Sequence, residues 1–293
     1  RNSMYGDTYA RRRNSVFGRG RSQGTGIPVR LLIAAAIAIF SLISYYSTSE
    51  KNPITGEPQR VAISPKEEIA LGLQAAPEMA AQYGGLSGDA SAQQHVEQIG
   101  AKLVQAANEV ARKAGSKNPF EFDFHLLADP NTVNAFALPG GQVFITTGLY
   151  DKLETEGQLV GVLGHEVGHV LMRHGAQRLA SQRLTQGLVG AAGMAGGSQE
   201  SAQMAAAIGQ MVNMRYGRED ELESDKWGVE LTAATGYDPR AMIGLMDVLE
   251  AASGGGGPPE MMSTHPKPAN RRAYIEKVIA SVFPDGLPAG LEK

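Results

Sequence analysis

Residues 163–175 read LGHEVGHVLMRHG, and the interpretation of this stretch decides the rest of the chain. A helix through it places His165 and His169 one above the other, because residues four apart are neighbours on a helical face. Two imidazoles so placed hold one metal ion. Zinc fits them, since it takes neutral histidine nitrogens at about 2.0 to 2.1 Å and keeps a water position open in catalytic sites. Glu166, beside the first imidazole, then stands where a base can take a proton from that water. Leu159, Val160, Val162, Leu163, Val167, Val170 and Leu171 make the helix strongly apolar, which predicts a buried, partly dry site.

Two histidines leave such an ion short of a ligand, and residues 218–228 (REDELESDKWG) supply candidates. Glu221 and Asp225 are four apart and share a helical face. A carboxylate from Glu221 completes a His₂Glu set with a position left for water. Asp225, one turn on, can hold the second ring nitrogen of a ligand histidine and so fix its tautomer. Spacing alone leaves Glu219 and Glu223 as competitors of Glu221.

Charge is spread unevenly. The first thirty residues hold seven arginines against Asp7, a net +6, and the remainder holds 20 basic and 29 acidic residues, a net −9. A mildly acidic body excludes a phosphate-binding groove on the fold, so no nucleic acid is expected. Next to the basic arm, residues 31–46 (LLIAAAIAIFSLISYY) are almost wholly apolar, near the roughly 20 residues a bilayer crossing needs. Tyr45 and Tyr46 suit the far interface, and the arginines keep the arm in the cytoplasm while sending the body across. The arm is longer than the basic region of most cleaved signals, which favours an uncleaved anchor. With no cysteine, an exported body relies on its core and its metal.

The expected organisation is a disordered basic arm (1–28), a transmembrane anchor (29–47), a tether (48–63) and one catalytic domain (64–293). Pro53, Gly56 and Pro58 predict that the tether is extended. Ser64-Pro65-Lys66-Glu67 is a capping box opening a helix to about residue 83, and a second helix is expected over 89–114. Alternation of Phe120, Phe122 and Phe124 with polar residues predicts a strand over 120–127 with His125 on the surface. Residues 134–138 and 142–147 flank Pro139-Gly140-Gly141, a turn between two strands. Helices alone follow, at 155–175, 176–195, 201–214, 218–234, 239–252 and 266–282, with breaks at 193–197 and 254–259. Residues 187–214, rich in Ala, Gly and Met, are too interrupted for a second crossing and suit a cover over the cleft or a partner surface.

HEVGHVLMRH, the later ELESD and the late STHPKPANR together resemble the zinc metallopeptidase family of HtpX-type membrane proteases and CAAX prenyl endopeptidases, within the gluzincins. The resemblance covers residues 60–282. The single anchor is closer to the periplasmic quality-control members of the LoiP and BepA type, and to the mitochondrial inner-membrane member, than to multi-span enzymes. It implies an α+β fold: a mostly helical zincin-like metallopeptidase domain with a small β-sheet, preceded by one transmembrane helix. It also implies one Zn²⁺ per chain held by His165, His169 and Glu221, with Glu166 as general base and Asp225 behind the ligands. His265 and Arg271 match the family's late histidine and arginine. The histidine is expected near the metal, stabilising an oxyanion or taking the water position in a latent state, and Arg271 is expected to organise the site. Asn134, Ala135 and Phe136 match a segment whose edge strand can pair with an extended substrate backbone. His95 and His174 receive no role beyond structure.

The expected function is that of a membrane-anchored zinc endopeptidase acting on unfolded or misassembled envelope proteins. Its bacterial form would sit in the inner membrane facing the periplasm, with the mitochondrial inner membrane facing the intermembrane space as the alternative. A competing reading is a latent protease acting mainly as a chaperone or assembly factor. A prenyl-protein processing enzyme needs a large membrane chamber that one span does not offer.

Overall fold

The computed structural model describes residues 27–196, 217–252, 259–265 and 271–293. The basic arm up to residue 26, the expected helix over 201–214, residues 197 and 254–258 of the expected breaks and the start expected for the last helix lie outside the described residues. Residues 193–196, expected as part of the first break, are helical instead. The remainder is mostly helical with small sheets, as expected for an α+β chain.

Helix α1 (Val29–Ser47) is the one described helix long and apolar enough to cross a membrane. It is followed by β1 (Ser49–Lys51) and β2 (Pro58–Arg60), which pair antiparallel. The expected extended tether is therefore corrected to a hairpin, and the hairpin is docked. Asn52 Nδ2 donates to Leu171 O at 2.9 Å, Gln59 Nε2 donates to Met172 O at 2.8 Å, and Ile54 is buried. The asparagine and glutamine satisfy carbonyls that the end of a helix leaves without partners.

Ser64 caps α2 (Pro65–Gln82) through the reciprocal bonds with Glu67 that its sequence predicts. Helix α3 (Ala90–Lys113) starts at an Asp89 cap and buries Val96, Ile99, Leu103 and Ala107 on one face. Strands β3 (Asp123–Leu127), β4 (Ala135–Ala137) and β5 (Gln142–Thr146) form a mixed sheet in the order β3-β5-β4, with β3 parallel and β4 antiparallel to β5. Gly140, at φ 87°, makes the β4–β5 turn and lies so close to α2 that a Cβ would meet Ile69 Cα at 2.4 Å. Only glycine offers both the left-handed backbone and the missing side chain. His125 differs from expectation. It is only 17% exposed, because its ring stacks on Phe144 and its Nε2 meets Gln142 Oε1 at 2.9 Å.

A short helix α4 (Thr147–Tyr150) leads to α5 (Glu156–Leu171), capped by Thr155. Every residue of α5 from Gly157 on is buried, so this helix is the axis of the core. Helices α3, α7 (Arg218–Ala234) and α8 (Ala241–Ala251) and the sheet pack around it. The expected single helix over 155–175 is interrupted. Arg173 has φ 59°, a left-handed conformation that ends α5 and redirects the chain into α6 (His174–Gly196). Arg173 is wholly buried, with Nε 2.7 Å from Glu68 Oε1, Nη1 3.1 Å from Glu50 Oε2 and Nη2 2.7 Å from Ile63 O. Three separate segments thus hold the left-handed residue at the joint between α5 and α6. Helices α9 (Glu260–Thr264) and α10 (Arg271–Val282) complete the described chain.

Candidate metal centre

The close approach of α5 and α7 builds the centre. At Gly168 an added Cβ would lie 2.8 Å from Trp227 Cβ and 3.2 Å from Ser224 Cα, and at Gly164 one would lie 3.5 Å from Gly228 Cα. Small residues on both helices let the backbones come near enough for the short side chains between them to meet. Glu221, Ser224 and Asp225 share the buried face of α7 and look onto His165 and His169.

Four donors converge there: His165, His169, Glu221 and His265, all buried. His165 Nε2 lies 3.1 Å from His169 Nε2, 3.6 Å from Glu221 Oε2 and 3.4 Å from His265 Nδ1. His169 Nε2 is 3.5 Å from Glu221 Oε1, which is 3.0 Å from His265 Nδ1. Donors around a tetrahedral ion with bonds of about 2.0 to 2.1 Å stand about 3.3 Å apart, so the separations match an ion's ligand shell. The spacing competition is resolved by burial: Glu221 is wholly enclosed, Glu219 is exposed and Glu223 lies on the neighbouring edge.

The surroundings orient these donors. Asp225 Oδ1 faces His165 Nδ1 at 3.0 Å, so that nitrogen carries a proton and Nε2 is the atom turned toward the other donors. Arg271, from the start of α10, grips the same carboxylate, with Nε 2.7 Å from Oδ2 and Nη2 2.6 Å from Oδ1, and reaches to 3.5 Å of Glu221. His174 is the residue that sequence reading missed. Its Nδ1 is 2.8 Å from His169 Nδ1, and its Nε2 is 3.0 Å from Glu223 Oε2. Nothing in spacing points to it, because the left-handed Arg173 turns the following residue back onto the ligand. His95, far from the centre, meets Tyr150 Oη at 2.9 Å.

Electrostatics point the same way. Burial pulls His165 down, but the hydrogen bonds from Asp225 and Glu221 prevail and hold it at about 9. Burial and the neighbouring imidazoles keep His169 well below its usual range and so neutral. Burial also works against the carboxylates. Hydrogen bonds from His165 and His265 nevertheless hold Glu221 below the usual carboxylate range, and the Arg271 guanidinium does so for Asp225. Glu166, by contrast, is raised by burial. Glu166 Oε1 and Glu221 Oε2 are buried with no hydrogen-bond partner. Two buried carboxylate oxygens without hydrogen-bond partners beside the converging imidazoles call for positive charge, and the donor set fits a divalent metal ion.

Asn134, Ala135 and Phe136 are not among these donors; they lie on and beside β4, an edge strand of the sheet that packs on α5. Asn134 and Ala135 are buried, and Phe136 stacks on Phe144 and packs against Tyr83.

A model of peptidase family M48 matches residues 97–279. The chain is similar to the beta-barrel assembly-enhancing protease of Escherichia coli strain K12, 34% identical over 190 residues, which cover 61% of this chain and 37% of that protein. It is also similar to the mitochondrial metalloendopeptidase OMA1 of Bos taurus, 26% identical over 260 residues covering 84% of this chain and 49% of the relative. A third relative is the metalloprotease YcaL of Escherichia coli strain K12, 29% identical over 190 residues, covering 62% and 70% respectively. The chain thus spans little more than a third of the length of the first of these relatives.

Proposed function

The chain belongs to peptidase family M48, and from that premise we propose that it is a membrane-anchored, zinc-dependent endopeptidase. The observation that carries the reading is the enclosed set His165, His169 and Glu221 with the unpartnered carboxylate oxygen of Glu166 beside it. His165, His169 and Glu221 would hold the ion, of which one is expected per chain. When bound, zinc supplies Lewis-acid polarisation of the scissile carbonyl and acidifies water.

The chain's own residues supply the rest. Glu166 Oε1 takes a proton from the attacking water and passes it to the leaving amine, a transfer that favours a base raised toward neutral pH as burial raises this one. Asp225, gripped by Arg271, keeps the His165 ring in one orientation and tautomer. β4 offers its edge to an extended backbone, with Asn134, Ala135 and Phe136 beside the bound segment, so recognition rests on main-chain hydrogen bonds. That mode suits unfolded or misassembled proteins. α1 anchors the body, in the bacterial inner membrane facing the periplasm, with the mitochondrial inner membrane facing the intermembrane space as the other setting.

A second reading has an observation of its own. His265 Nδ1 stands within the donor set, 3.0 Å from Glu221 Oε1, and its Nε2 lies 3.7 Å from Glu166 Oε1. His265 in that place supports a latent state in which it occupies the position of water, and the protein then acts mainly as a chaperone or assembly factor until the histidine withdraws.

The test is Glu166→Gln in the full-length chain. We expect unchanged metal content with loss of casein cleavage by about 10²- to 10⁴-fold, the usual worth of a positioned acid-base group. Cleavage at the wild-type rate would remove Glu166 from the mechanism. Faster cleavage by His265→Ala than by wild type supports latency, and unchanged cleavage refutes it.

A further inference from the structure

Helix α6 begins at the metal centre and ends beside the anchor. Its first residue, His174, touches His169, and its far half runs along α1, so closely that a Cβ on Gly187 would lie 2.0 Å from Ser41 Oγ. The less exposed positions trace a stripe on α1 and a broader one on α6. On α1 these are Ala34, Ile37, Ala38, Ser41, Tyr45 and Thr48; on α6 one such row is Ala180, Leu184, Gly187, Ala191 and Ala195, with Ser181, Thr185, Val189 and Gly193 half-buried in a second row beside it. Small residues four apart, letting backbones approach, are how helices pair where lipid removes any hydrophobic drive.

We propose that the outer half of α6, residues 184–196, lies within the bilayer beside α1, with lipid acyl chains against the faces that α1 leaves exposed. The inference rests on the reading of α1 as a membrane anchor. From Leu184 to Gly196 there is no charged residue, and Leu188 and Met194 are 37% and 42% exposed. They continue the apolar surface on which α1 exposes Ile33, Ile39, Phe40 and Ile43. The hydroxyls are satisfied within their own helices, as hydrocarbon requires: Ser41 donates to Ile37 O at 2.8 Å and Thr185 to Ser181 O at 2.9 Å. The boundary with water is marked where the charges resume. Arg183 lines the cleft between the two helices with Tyr45 and Thr48, and Arg60 lies 4.9 Å over the Tyr46 ring. Aromatic rings and arginines at one level are the signature of a membrane interface.

The distances fix what this placement does. From Arg183 to Gly196 the helix rises about 20 Å, two-thirds of a hydrocarbon layer of about 30 Å, so this arm enters the layer over that depth. From His174 to Arg183 it rises about 14 Å, which holds the metal centre within about 15 Å of the lipid surface. The substrates that reach it most readily are chain segments lying at that surface, such as the membrane-proximal stretches of other anchored proteins.

The cysteine-free chain makes the test direct. Single cysteines at Ile39, Leu188, Met194 and, as an exposed control on α3, Gln98 would carry nitroxide labels in full-length protein reconstituted into phosphatidylcholine/phosphatidylglycerol vesicles. Relaxation by oxygen, which concentrates in lipid, is then compared with relaxation by a water-soluble nickel chelate. We expect Ile39, Leu188 and Met194 to favour oxygen several-fold over Gln98, and Gly187→Leu, whose side chain runs into Ser41, to abolish the preference at Leu188 but not at Ile39. Nickel access at Leu188 and Met194 with oxygen preference at Ile39 overturns the proposal while the anchor stands. Low access to both reagents at Leu188 and Met194 means protein cover, such as a second copy, and also overturns it. Nickel access at Ile39 sinks the anchor reading itself.

Discussion

Helices α5 and α6 are consecutive in the chain, separated only by Met172 and Arg173, and their surroundings are opposite. α5 is enclosed on every side by protein, whereas among the described residues the outer half of α6 packs chiefly against α1. Both use small residues for close approach, Gly164 and Gly168 on α5, Gly187 and Ala191 on α6. What differs is the treatment of polarity. In the enclosed helix both histidines belong to networks: His165 with Asp225 and Arg271, His169 with His174 and Glu223. In the far half of α6 charge is simply absent. A protein interior tolerates charge when partners are supplied, because an unpaired buried charge costs several kcal/mol, whereas a helix facing outward from the fold has none to offer.

The largest effect on this comparison comes from cutting the joint between the two helices. Arg173→Ala leaves Glu68 buried without its guanidinium and puts alanine in a left-handed conformation, so we expect a loss of about 3 kcal/mol in chemical denaturation. A loss below about 1 kcal/mol would show that the joint is not what fixes the angle between α5 and α6. Next comes the network on the enclosed side. Asp225→Asn weakens the hold on His165, and metal affinity measured by competition with a chelator should fall about 10- to 100-fold without unfolding the chain. An unchanged affinity would detach Asp225 from the centre.

A smaller effect is set by pH. Burial pushes the Glu68 carboxyl up to about 7, against the pull of Arg173. The folded state therefore holds this proton more tightly than the unfolded chain. The resulting stability is complete below about 4.5 and is lost as pH rises through about 7. Between pH 5.5 and 8 the wild type should lose about 1 to 2 kcal/mol relative to Glu68→Gln, whose amide does not titrate. Parallel stability profiles for the two proteins would refute the shift. A pair of alanine substitutions sharpens the contrast most directly. Gly168→Ala forces a Cβ to 2.8 Å from Trp227 and should cost about 1 to 3 kcal/mol, whereas Gly190→Ala meets nothing within 4 Å and should change stability by less than about 1 kcal/mol. Equal costs at the two sites would mean that α5 and α6 are packed alike.

Local patterns carried the parts of this molecule that depend on spacing along one element. A four-residue separation places two imidazoles on a helical face whatever packs around it, so His165 and His169 were legible, as were the Ser64 capping box and the apolar α1. Asp225 and Glu221 were legible as a pair sharing one face, but not as a choice over Glu219 and Glu223. That choice depends on which side of α7 meets α5, and Gly168 and Trp227 decide it by how closely the backbones approach. The hairpin that replaced the tether escaped notice because its hydrogen bonds run to Leu171 and Met172, more than a hundred residues away.

By itself, then, the sequence determined a helix bearing two metal-competent histidines and a carboxylate, an acidic helix able to complete them, and an apolar helix long enough to cross a membrane. Tertiary structure decided what spacing had left open, that Glu221 is the enclosed carboxylate; it set His265 among the donors, where the family resemblance expected it, and it alone turned His174 back to hold His169. The reason is physical: periodicity places side chains on the surface of one element, whereas a centre made by several elements exists only once packing has brought their faces together.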